Sequence, residues 1–190
     1  MRSLRTRLVA STVVGAALVL VAAGVALYLL VRDGLVARFD VAMRDKACLL
    51  ASATEFEGGE VDLEFDDLDM GEFAAAGRPA YLQVWLPDGT VLYRSPSLGG
   101  GNLDRPTASA GEPALGPVVL PDGRAGRRVT LVFSPRVEGD GERGTSGRQD
   151  AAAPALTLIL ARSVAPVQAM LVRLKVLLAA VGAVTVAVTG

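Results

Sequence analysis

The sequence predicts an α+β membrane protein, in which two transmembrane helices flank a small extracytoplasmic domain with an antiparallel sheet and helices continuous with the membrane spans. Three observations predict it. Residues 8–31 (LVASTVVGAALVLVAAGVALYLLV) carry no charge, and residues 176–190 (VLLAAVGAVTVAVTG) are again uncharged. Residues 32–175 hold all 20 acidic residues and 16 of the 19 basic ones. Within that polar region the apolar period shifts from helical to alternating, as a mixed domain requires.

The first run is long enough to be a span. A helix rises ~1.5 Å per residue and the hydrocarbon core is ~30 Å thick, so residues 8–31 can cross with some tilt. A cleaved signal peptide has an apolar run of only ~7 to 15 residues ending in small residues. This run is longer and finishes in Leu27-Tyr28-Leu29-Leu30-Val31. Residues 1–7, with Arg2, Arg5 and Arg7, form the short basic flank that stays cytoplasmic, because long loops translocate largely regardless of their charge. Residues 32–175 are then expected outside, and residues 176–190 as a second transmembrane helix truncated by the end of the sequence.

After the first span, Leu35, Phe39, Ala42, Lys46, Leu49, Ala53 and Phe56 recur at steps of four and three. The stripe lets the membrane helix continue outward. It fits both a coiled-coil seam, which Lys46 interrupts, and an amphipathic helix packed on its own domain. Residues 55–72 contain nine acids and no base, which reads as a solvated face or loop, with a cation site as the sharper alternative.

From Ala80 the period becomes two. Leu82, Val84 and Leu86 alternate with Tyr81, Gln83 and Trp85; Pro87-Asp88-Gly89 supplies a turn, and Thr90 to Arg94 returns to Ser95-Pro96. Leu120-Pro121-Asp122-Gly123 precedes a second β-branched run, Val129 to Phe133, which ends in Ser134-Pro135. The shared turns predict a meander. Gly99 to Gly116 reads as a loop. Residues 138–154 lack large apolar side chains and read as a flexible insertion. Ala155 to Ala161 is a last strand, Ser163 a helix cap, and Pro166 sits in the first turn of a helix leading into the second span.

The chemistry is mostly excluded. With no histidine and one cysteine, Cys48, the chain has no Ser-His-Asp or Cys-His site, no zinc cluster, no intramolecular disulfide and no phosphohistidine acceptor. Gly99-Gly100-Gly101 is followed by Asn102, so it is not a P-loop. Asp88 and Asp122 could be paired carboxylates, but each stands where a Pro-Asp-Gly turn wants aspartate. Arg94, Arg124, Arg127 and Arg128 could grip an anion or guard strand edges. The exported region is net acidic, which argues against nucleic acid. No catalytic, cofactor-binding or metal-binding residue is therefore expected.

Taken together, the basic tail, span and helix, then AYLQVWLPDGTVLYRSPSLGG, RRVTLVFSP, LTLILARS and VAPVQAMLVRLKVLLAAVG, resemble the N-terminal sensor region of bacterial two-component sensor histidine kinases. Gln83-Val84-Trp85 through Arg94-Ser95-Pro96 is the most specific piece. The resemblance implies an inner-membrane, multi-pass homodimer. It also implies that the second span leads to a HAMP linker, a phosphoacceptor helix and a domain binding ATP and magnesium, which together meet a response regulator. This sequence has none of those parts, so their residues have no positions here. A chemoreceptor or cyclase receptor shares the same input topology, and a membrane-anchored binding or structural protein is the remaining reading.

Overall fold

Two long helices bracket the folded part of the chain. The computed structural model describes residues 4–57, 60–65, 70–74, 77, 79–106, 110–137 and 153–189. Helix α1 runs Leu4–Ser52 and helix α2 runs Ala165–Thr189. Both are long and apolar enough to cross a membrane. The chain divides into two compact units, residues 1–39 with 166–190 and residues 40–165.

The second unit is α+β. Its main sheet is antiparallel, with strand order β4-β3-β8-β6-β5, where β3 is Tyr81–Trp85, β4 Val91–Arg94, β5 Ala114–Val119, β6 Ala125–Phe133 and β8 Leu156–Ser163. A smaller sheet joins β1 (Thr54–Glu57) to β2 (Glu60–Leu63) antiparallel and to β7 (Arg136–Val137) parallel.

This order corrects the expected meander. The hairpins β3–β4 and β5–β6 both form, but β8, the last strand in sequence, lies between them and pairs with β3 and β6. The reason is burial. Leu156 to Ala161 are all within 5% of full burial, and a strand apolar on both faces belongs at the centre of a sheet. The expected loop Gly99–Gly116 is also shortened, because β5 begins at Ala114. Part of the acidic stretch is strand rather than loop, since β1 and β2 lie within it. Asp66, Asp67, Asp69 and most of the 138–154 insertion fall outside the described residues.

The repeated turns use one construction. Leu86 N–H donates to the Thr90 carbonyl and Leu120 N–H to the Arg124 carbonyl, while Asp88 and Asp122 accept from the backbone N–H two residues on. Gly89 and Gly123 take φ of 93° and 79°, where a Cβ is strained.

Each face of the main sheet has its own cover. One face presents Tyr81 and Ile159 to Leu98, Leu103 and Leu120, with Trp85 and Val118 at the margin. The other carries Leu82, Val84, Val129, Leu131, Leu158 and Leu160, and by alternation also Arg127 and Arg162. Both arginines reach partners on or beside α1, which places the buried Met43, Ala47 and Leu50 of that helix over this face.

The helical stripe is thereby displaced by one residue. The buried positions are Met43, Ala47 and Leu50, whereas Ala42 and Leu49 of the expected seam are exposed and Phe56 belongs to β1. Lys46 is half-buried and pairs with Glu72 at 3.3 Å, its ammonium 5.8 Å from the Phe73 ring centroid. A lysine on a packed helix face is accounted for by that carboxylate.

Candidate functional site

The strongest polar construction is a clasp between α1 and the sheet. Arg127 Nη2 donates to Asp40 Oδ2 at 2.8 Å, joining residues 87 positions apart. Its Nε lies 2.7 Å from Oδ1 but is not aligned for a hydrogen bond, so this second contact is one of charge. Glu72 forms the other half. Its carboxylate meets Lys46 on α1 through Oε1 and Arg162 on β8 through Oε2, the latter at 3.5 Å. Arg127 and Arg162 are register partners on adjacent strands. Three ion pairs, one direct and two meeting at Glu72, therefore fasten the helix to neighbouring strands at the end of the sheet where β8 stops.

That end is also where α2 begins. Ser163 is the last residue of β8, and its hydroxyl accepts from Ala165 N–H at 3.2 Å, as the expected cap requires. Val164 N–H donates to the Ala125 carbonyl, so the β8-to-α2 junction is held to the first residue of β6. Pro166 occupies the first helical turn, where its missing N–H is no loss. A single residue, Val164, separates the end of β8 from the start of α2.

A second network surrounds Asp122. The Tyr81 hydroxyl donates to its Oδ2 at 2.8 Å, and Arg124 donates to the same oxygen through Nε at 2.7 Å and through Nη2. The Arg124 hydrogen bonds hold the Asp122 carboxyl well below the usual carboxylate range, with the Tyr81 bond adding to them and partial burial opposing. Burial, followed by the bond to Asp122, raises the Tyr81 phenol. A carboxylate whose folded pKa is depressed stabilises the fold fully above its unfolded value of ~3.9, and that contribution is lost as pH falls through the folded value. Thermal melts of wild type and Asp122→Asn across pH should therefore show a gap at neutral pH that closes on acidification. A gap independent of pH would mean that the turn, not the charge, is what the substitution disturbs.

The residues singled out by sequence do not converge. Asp122 bonds Tyr81, the first residue of β3, while Asp88 follows the last residue of that strand, so the two carboxylates stand at opposite ends of the sheet. Arg94 donates to Asn102, Arg124 to Asp122 and Arg127 to Asp40. Arg128 alternates to the other face of β6 from Arg127. Cys48 is exposed on α1. In the acidic hairpin, Glu55 opposes Asp62 and Glu57 opposes Glu60 across the ladder, placing four carboxylates on one face. Among the described residues no group of three or more ligating side chains could hold a metal ion.

The clasp partners were not legible beforehand, because Asp40 and Arg127 share no local motif. Lys46 was the available clue, a charge on an otherwise apolar stripe. No protein-family model matches this sequence, and no curated protein or solved structure is significantly similar to it.

Proposed function

We propose that the chain is the input region of a two-component sensor histidine kinase, with residues 32–175 outside the inner membrane and both apolar helices crossing it. One observation carries the reading. The two helices are direct continuations of one clasped assembly, α1 through Asp40–Arg127 and Lys46–Glu72–Arg162, and α2 through the Ser163-to-Ala165 junction. A stimulus that displaces β8 against α1 acts on both helices at once, which is what signal transfer across a bilayer demands. The two-state element is the clasp, closed or open, and its ion pairs set the bias. ATP, magnesium and the response regulator belong on this reading to a cytoplasmic part outside these residues. The exposed edge of α1 with Val41, Ala42 and Leu49 offers a seam for a second copy.

Topology and pairing are tested together in cells. Alkaline phosphatase fused after Gly141 should be active, and mild oxidation of membranes should yield a reducible dimer that disappears in Cys48→Ser. An inactive phosphatase with a cytoplasm-only reporter active at the same site would overturn the topology. Monomer alone, with an engineered Leu49→Cys also failing to cross-link, would remove the seam.

A further inference from the structure

Between the two apolar helices lies a groove of about 1150 Å³. One wall is α1 from Thr12 to Tyr28, the other α2 from Lys175 to Thr185. The lining is almost wholly apolar, with Leu20 and Leu178 among its larger side chains. Small residues leave it open. A Cβ built on Gly24 or Gly182, both in the lining, would meet nothing within 4 Å. The helices thus stand apart along this face, and in a bilayer such a space is filled.

A single cation marks one end. Lys175 lines the groove with its ammonium 5.0 Å from the Tyr28 ring centroid, and among the described residues no carboxylate pairs with it. A cation–π contact leaves the charge uncompensated. The wall of α2 from Lys175 to Thr185 rises ~15 Å, half of a ~30 Å hydrocarbon core and so the depth of one leaflet.

From this geometry we infer that the groove binds a phospholipid, with an acyl chain between the helices and the phosphate against Lys175. The inference rests on the reading that both helices cross a membrane. Charge selects the lipid over a second copy of the chain. The segments a second copy would insert, residues 8–31 and 176–190, contain no acidic residue and would leave Lys175 unpaired. An anionic headgroup supplies the counter-charge at the depth where the lysine stands, and the chain below it meets only apolar side chains and two threonines. Such a lipid wedges the helices at a fixed separation.

The test uses the full chain, extracted in mild detergent and examined by native mass spectrometry with added phosphatidylglycerol or phosphatidylcholine. Wild type should retain one lipid per chain and prefer phosphatidylglycerol by roughly fivefold, the worth of one lysine near an anionic surface. Lys175→Gln should abolish the preference. Gly182→Leu, which extends a side chain into open space, should abolish retention while the thermal midpoint of the sheet unit stays unchanged. Retention unaffected by both substitutions would overturn the site, as would Gly182→Cys copies that cross-link to each other with no lipid retained. Carbonate extraction separates this failure from the larger one. A chain stripped from membranes by carbonate was never a membrane protein, whereas a carbonate-resistant chain without retained lipid loses only the groove.

Discussion

Gly126→Val is expected to lower the thermal midpoint of the sheet unit by about 10 °C, since overpacking costs ~1 to 3 kcal/mol and each kcal/mol moves a domain of this size by several degrees. Gly126 lies on β6 opposite Ser163. A Cβ there would stand 2.8 Å from the Arg162 carbonyl oxygen and 2.8 Å from both Cγ and Cδ2 of Leu120. Neither neighbour can yield cheaply. The carbonyl belongs to the central strand, and Leu120 is only 2% exposed and fixed by the turn bonds to Gly123 and Arg124. Alanine should already be harmful, and valine adds two carbons to the same clash. Gly116→Ala is the control, because its Cβ would meet nothing within 4 Å, and its effect should stay within ~0.5 kcal/mol. Equal shifts at the two positions would show that the close approach is not what fixes Gly126. Gly126 also lets β6 lie against the Arg162 carbonyl, one residue before the end of β8. A bulkier residue should therefore disturb the β8-to-α2 junction before it disturbs the far end of the sheet.

The parts of this fold that were legible in the sequence are those specified by local pattern. An uncharged run of helical length declares itself, and so does a Pro-Asp-Gly turn whose aspartate closes onto the backbone two residues later. What was lost depended on pairing between distant segments. Leu156 to Ala161 was apolar on both faces, which is the mark of a central strand, yet two similar hairpins drew the reading toward sequential pairing. The strand β1 was hidden by composition. Glu55 and Glu57 are poor strand formers, and only the alternation with Phe56, matched by Val61 on β2, reveals the period of two. The α1 stripe was misplaced by one residue because a 3.6-residue pitch lets neighbouring rows score alike over a short window. Burial of Met43, Ala47 and Leu50 against the sheet breaks that tie, and Lys46 then changes from an intrusion into half of an ion pair. For Asp40 and Arg127, nothing in either local sequence singles out the other.

Gln83→Leu should cost ~2 to 3 kcal/mol, because the substitution keeps the volume but leaves a buried donor without its acceptor. Gln83 is fully buried in β3. Its Oε1 accepts from Leu103 N–H at 2.7 Å, and its Nε2 donates at 2.7 Å to Asn102 Oδ1, which also accepts from Arg94. Asn102 and Arg94 can find water, since the first is exposed and the second half-buried. Leu103 cannot. It is 5% exposed, and its side chain fills the cluster of Tyr81, Leu98, Leu120 and Ile159. Freeing its N–H therefore loosens the loop and uncovers that side of the sheet. Gln83→Glu retains the acceptor for Leu103 and should be milder, and Asn102→Ala should be milder still. Thermal melts rank the three, and amide exchange at Leu103 reports the loop directly. If Gln83→Leu proves as stable as wild type with Leu103 still protected, the network is dispensable. The result bears on the proposed function. Gln83, Arg94 and Ser95 belong to the segment on which the proposed sensor reading leans, and Ser95 Oγ accepts from Leu82 N–H just as Gln83 accepts from Leu103. A large loss at Gln83 would explain those residue types by the folding of the β3–β4 hairpin and its loop, and the search for a stimulus would turn away from them.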